Sequence, residues 1–120
     1  MASAALVRKT ALALPGAREV DWYGQPGFNV GKKTFVCCWG KEARWIFKLP
    51  AAHQDLLFEV RADVFQPMRT GAMLWSYVEI AALAPKEAKQ FVTEAWTTVV
   101  PKRISRPYLE ANAPELIAQA

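Results

Sequence analysis

The stretch from Trp22 to Phe35, reading W-Y-G-Q-P-G-F-N-V-G-K-K-T-F, constrains this chain more than any other. Two turn signals, Gly24-Gln25-Pro26-Gly27 and Gly31-Lys32, bracket the short alternation Phe28–Val30, and a β-rich run from Thr34 to Trp39 follows at once. That spacing predicts strand, tight turn, strand. Strands joined by tight turns must be antiparallel, because parallel neighbours need long crossovers. Lys32 and Lys33 fall at the tip of a hairpin, where side chains reach outward.

The flanking segments extend the pattern. Ser3 is placed to cap a first helix through about Leu14, with Leu6, Val7, Thr10, Ala11 and Leu14 on one stripe, and Pro15-Gly16 stops it. A short strand around Val20-Asp21-Trp22 leads into the hairpin. Residues 34–39 and 43–49 form the next one, joined by Gly40-Lys41-Glu42. In its second arm Trp45, Phe47 and Leu49 share one face and Arg44, Ile46 and Lys48 the other, as in a sheet with one buried and one partly wet side.

Pro50 ends that strand, and a short helix over Ala52–Arg61 is expected to turn Leu56, Leu57 and Val60 inward. Val64-Phe65-Gln66-Pro67 reads as a brief edge strand, because proline has no N–H for a central ladder. Met68 to Ala72 reads as a loop before a strong strand, Leu74–Ile80, with Trp75 on the Tyr77 side. Pro85 opens the clearest helix. Its apolar stripe runs Ala88, Phe91, Val92, Ala95, Trp96, Val99 and Val100, with Lys86, Glu87, Lys89, Gln90 and Glu94 opposite. A weaker helical segment follows Pro114. The order predicts an α+β two-layer sandwich: an antiparallel sheet with N- and C-terminal helices on one face. Residues 1–105 form a single domain in this reading, and 106–120 a partly helical tail.

At 120 residues the chain supports one core, and a hydrophobic fraction of 52% with five tryptophans excludes disorder. The net charge of +4 favours anionic partners, nucleic acid among them. Cys37 and Cys38 are adjacent in a strand, so their thiols point to opposite faces and cannot share a metal or form an unstrained disulfide. Free thiols suit a reducing compartment. With no export signal and no apolar run long enough for a membrane, the expectation is a cytoplasmic protein with no membrane partner.

Several pieces together resemble the MmcQ/YjbR family. They are Ala11-Leu12-Ala13-Leu14-Pro15-Gly16-Ala17, the Trp22–Phe35 stretch, Asp63-Val64-Phe65, Leu74-Trp75-Ser76-Tyr77-Val78, Glu94-Ala95-Trp96 and Val100-Pro101-Lys102-Arg103. They occur in the family's order over nearly the whole chain. The resemblance implies a CyaY-like (frataxin-like) α+β fold. It also implies the "double wing" description, under which DNA binding is proposed for these proteins. It brings no catalytic or binding residues with it. The tail after Ile104 is longer than the family's usual end. The acidic iron-binding ridge that frataxins carry on their first helix has no counterpart, since Arg8 and Lys9 stand there instead.

The candidate site follows from the sheet. Arg44, Lys48, Trp75 and Tyr77 fall on the face away from the helices, where cations hold phosphates and rings stack on unpaired bases. Lys32, Lys33, Lys41 and Arg69 sit at turns or loops, placed to contact a nucleic-acid backbone without reading sequence. Tyr23 adds a third ring. The same groups also serve a soluble sheet with one solvated face; Lys102, Arg103 and Arg106 are placed either to extend the basic surface or, for Lys102 and Arg103, to satisfy the last carbonyls of the preceding helix. The alternative partner is a protein or small ligand on the open face. His53, the only histidine, has no second ligand type nearby in sequence. With no phosphate-cradling glycine loop, metal spacing or nucleophile–base pair, the expectation is a non-catalytic domain with no cofactor and no metal. A pocket lined by Asp21, Tyr23 and Arg69 would reopen an enzymatic reading.

Overall fold

Helix α1 (Ala4–Leu12) starts where Ser3 Oγ accepts the Leu6 N–H at 3.2 Å, and its inward stripe buries Val7 and Ala11. The computed structural model describes residues 2–39, 44–70 and 73–117, with the side chains of Trp39, Thr70 and Met73 excepted. After the turn at Gly16 (φ +75°) come strands β1 (Ala17–Trp22), β2 (Gln25–Val30), β3 (Lys33–Trp39) and β4 (Arg44–Phe47). Helix α2 (Ala51–Val60) precedes β5 (Phe65–Thr70) and β6 (Met73–Val78). A 3₁₀ turn (Ile80–Ala82) leads to α3 (Pro85–Thr97) and α4 (Lys102–Asn112).

The six strands form one antiparallel sheet in the order β1-β2-β3-β4-β6-β5. The two-layer α+β architecture expected from the sequence is therefore present. Phe28, Val36, Cys38, Trp45, Phe47 and Val78 turn from the sheet onto Val7, Ala11, Ala88, Val92, Ala95 and Trp96 of α1 and α3. A register shift opposite Phe28/Asn29 inserts one extra residue into β3. Phe35 and Val36, neighbours in sequence, both enter the core as a result. Trp96 fixes α3 further: its ring is fully buried and its Nε1–H donates to the Pro15 carbonyl at 3.0 Å.

Several local expectations are corrected. The first hairpin turns at Tyr23-Gly24, whose φ values of +50° and +84° match the strand twist, and not at Gly24–Gly27. Pro26 and Gly27 lie inside β2; Pro26 faces Asp21 on β1, and the β3 pairing begins only at Gly27, so the missing N–H is tolerated. Met68, Arg69 and Thr70 belong to β5 and not to a loop, because β5 pairs with β6 as far as Thr70–Met73. β6 ends at Val78, and Ile80 opens the 3₁₀ turn.

On α2 only Leu57 of the three expected core residues is buried; Leu56 and Val60 are 52% and 63% exposed. The helix meets the sheet through Gln54 instead. Gln54 Nε2 donates to the Leu74 carbonyl (3.0 Å), and its Oε1 accepts from Ser76 Oγ (2.7 Å). Glu94, expected on the outer side of α3, is buried at 5% exposure. The residues after Pro101 form α4 up to Asn112, which carries the buried Leu109 and sets Tyr108 edge-on to Trp96 with ring centroids 5.1 Å apart. Edge strand β5 holds Pro67, as expected. The Gly40-Lys41-Glu42 connection and residues Gly71-Ala72 lie outside the described residues.

Candidate nucleic-acid interface

Strand register decides where the cations go. Arg18 on β1 faces Asn29, and its guanidinium donates to the Gly31 carbonyl at 3.2 Å. Gly31 (φ +61°) and Lys32 make the β2–β3 turn, and Lys33 opens β3 opposite Val30. Lys48 follows β4, its backbone N–H bonded to the Phe35 carbonyl at 2.9 Å. Since Phe47 pairs with Ser76, the next step along β6 and β5 brings Leu74 and Arg69 to this same end. Arg18, Lys32, Lys33, Lys48 and Arg69 thus stand along one end of the sheet. Its five strand-to-strand steps span about 24 Å.

Apart from Lys48, which is half-buried, these cations are exposed, and among the described residues none of the five is in an ion pair. Glu19, one residue from Arg18, is taken by Arg8 at 2.6 Å. Arg18 was not singled out from the sequence. Its signal is the antiparallel pairing of β1 with β2, which carries it beside the Gly31-Lys32 turn.

The other expected site residues lie elsewhere. Arg44 pairs with Trp39, six residues along β3 from Lys33, and so sits about 20 Å from the lysine turn. Its guanidinium lies 3.9 Å over the Tyr77 ring, and Nη2 donates to Gln66 Oε1 at 3.3 Å. Tyr23 is at that far end as well, 80% exposed, with its ring edge-on to Trp22 at 5.3 Å. Trp75 is only 9% exposed. It packs with the buried Cys37 and Ile46 in a second apolar cluster, flanked by Trp22, Met68 and Tyr77. The sheet face away from the helices is therefore largely covered by its own side chains. Asp21 accepts from the Gly24 N–H beside Tyr23, whereas Arg69 is at the opposite end, so these three residues line no common pocket.

One titratable pair is not legible in the sequence. His53 on α2 shares a hydrogen bond between its Nδ1 and Glu94 Oε1 of α3, and its ring stacks on Phe91 at 5.9 Å. The partners are 41 positions apart, and only the packing of α2 near α3 joins them. Burial pushes the Glu94 carboxyl above its ordinary range, with the His53 hydrogen bond and charge opposing. Burial likewise pushes the Cys37 thiol up to about 12, with Cys38 adding to the effect. At the start of α3, the Ala84 N–H and then Arg61 hold the Glu87 carboxyl below its ordinary range. Among the described residues no group of three or more His, Cys, Asp or Glu side chains is placed to hold a metal ion. No helix of the described residues is long and apolar enough to cross a membrane.

A family profile described as YjbR matches residues 12–98, from the end of α1 to the end of α3. The chain belongs to the YjbR family. The matched span contains every strand of the sheet, the second apolar cluster and all five cations of the basic end. Helix α4, which places Tyr108 against Trp96, lies beyond the YjbR match. No curated protein and no solved structure matches this YjbR-family chain.

Proposed function

We propose that this YjbR-family protein is a non-catalytic nucleic-acid-binding domain that grips the phosphate backbone with one end of its sheet. The observation that carries the reading is the alignment of Arg18, Lys32, Lys33, Lys48 and Arg69 along that end without a carboxylate partner among the described residues. Unpaired cations spaced across about 24 Å match successive phosphates better than a single bound anion. Backbone contacts of this kind position a protein without reading base sequence. Trp75 and Tyr77 belong to the second apolar cluster and Arg44 lies over Tyr77 at the far end of the sheet, so these three stand outside the proposed interface.

Fluorescence anisotropy with labelled duplex DNA, single-stranded DNA and RNA at two salt concentrations tests the reading. With up to five phosphates neutralised, affinity for duplex should fall by up to about five-hundredfold between 50 and 200 mM salt. Exchanging Lys32 and Lys33 together for glutamate should abolish binding at the lower salt. Absence of binding by the unaltered protein at low salt overturns the proposal, as does binding that survives the double substitution.

A further inference from the structure

At the end of the sheet remote from the lysine turn, a cleft of about 310 Å³ opens between Arg44 and the start of β5. One wall is cationic. The Arg44 guanidinium carbon lies over the Tyr77 ring, 3.9 Å from its centroid, and one N–H donates to Gln66, which leaves the rest of its planar donor set free. Asp63 and Glu79 line the same cleft. Glu79 continues the β5–β6 ladder, its N–H donating to the Val64 carbonyl at 2.9 Å, and so lies one step beyond the Trp45–Val78 pair, where Arg44 lies on β4. Despite that proximity along the ladder, no ion pair joins Arg44 to either carboxylate among the described residues. Val78 and Ile80 add apolar surface to the lining.

We infer that this cleft binds a small zwitterion, an α-amino acid or the like, carboxylate toward Arg44 and ammonium toward Asp63 and Glu79. A guanidinium fixed by a ring and an amide offers a two-pronged bond to a carboxylate at little ordering cost. Two carboxylates without a cationic partner are the matching receptor for an ammonium group. The volume is at the small end of ligand sites, which suits a single amino acid better than a nucleotide. The apolar lining of Val78 and Ile80 suits an aliphatic side chain. This site is independent of the proposed nucleic-acid interface, since none of the five cations of that end lines it.

The probes are L-leucine and L-lysine, each titrated to 10 mM into the ¹⁵N-labelled protein, with 4-methylpentanoate and 3-methylbutylamine as single-pole controls. Saturable amide shifts confined to Gln66, Tyr77, Val78 and Glu79 are expected with at least one amino acid. Each single-pole control should bind at least about tenfold more weakly. Arg44→Lys, which keeps the charge and loses the fork, and Glu79→Gln should each weaken binding by a similar factor. Both positions are exposed, and circular dichroism of each variant checks the fold. The replacement of Lys32 and Lys33 by glutamate should leave amino-acid binding unchanged. Failure of both amino acids to shift these amides overturns the inference, as does binding indifferent to the loss of either pole.

Discussion

Glu94 of α3 and His53 of α2 meet through one hydrogen bond at a buried junction, and the carboxyl is the more deeply enclosed of the two, at 7% against 23% side-chain exposure. Because burial raises the Glu94 pKa in the folded protein, its ionisation opposes folding. Its contribution to stability is fully present below the unfolded value of 4.5 and is lost as pH rises through the higher folded value. Urea unfolding from pH 4.5 to 7.5 should show the unaltered protein losing stability relative to Glu94→Gln as pH increases. Parallel profiles for the two proteins would contradict this assignment. At pH 7, His53→Ala should cost about 1–3 kcal/mol by leaving the carboxylate without its partner, and less at pH 4.5.

Trp75 gives a second expectation, one that separates structure from binding. Its ring closes the cluster over Cys37 and Ile46. Trp75→Ala should lower stability by about 3 kcal/mol while leaving nucleic-acid affinity within a factor of two or so, provided the measurement is made where the variant is folded. A loss of affinity without a loss of stability would return Trp75 to the interface.

Gln54 and Ser76 form a buried polar joint between α2 and β6, with Gln54 2% and Ser76 0% exposed. Gln54→Leu leaves both the Leu74 carbonyl and the Ser76 hydroxyl without this partner, and should cost about 2–3 kcal/mol. Adding Ser76→Ala should cost less than it does alone. Chemical denaturation of the four proteins gives the coupling directly, and strict additivity would show that the joint carries no energy.

The Cys37 thiol, with its pKa pushed up to about 12, should not react with a thiol-specific reagent in the folded protein at pH 8. Buried Cys38 should be equally protected. Two equivalents should react after unfolding in guanidinium. Fast labelling of the native protein would mean that the second apolar cluster opens readily.

Gly27 packs under β1: a Cβ there would lie 3.0 Å from Trp22 Cβ and 3.5 Å from Val20 Cγ2. Gly27→Ala should therefore displace the Trp22 side of the cluster and cost about 1–3 kcal/mol. Thermal unfolding together with a shifted tryptophan emission would register both effects. An unchanged melting temperature would show that β1 can move away freely.

Much of the fold was legible because alternation and punctuation are local signals. Trp45, Phe47 and the α3 stripe take their correct side from spacing alone. The errors fell where the deciding contact was distant. Nothing near Leu56 or Val60 says that α2 touches the sheet through Gln54. The Tyr23-Gly24 turn was missed because Pro26-Gly27 is the stronger turn signal in sequence, and only its pairing with β1 shows it as strand. Of the candidate site, Lys32, Lys33, Lys48 and Arg69 are legible in the sequence, whereas Arg18 joins them only through the pairing of β1 with β2. Arg44 was grouped with Lys48 because two-residue periodicity assigns a face and says nothing of position along it.

What the amino-acid order determined by itself was the alphabet of elements and their apolar sides, since a period of 2 or 3.6 is written in neighbouring residues. Family membership rests on that order too. Register between strands was decided only by the folded chain. It gathered five cations from four separate segments at one end, moved Arg44 onto Tyr77 at the other, and closed Trp75 over Cys37. Register depends on a bulge, on turn conformation and on the packing of both faces at once, and each of these joins residues that the linear chain keeps apart.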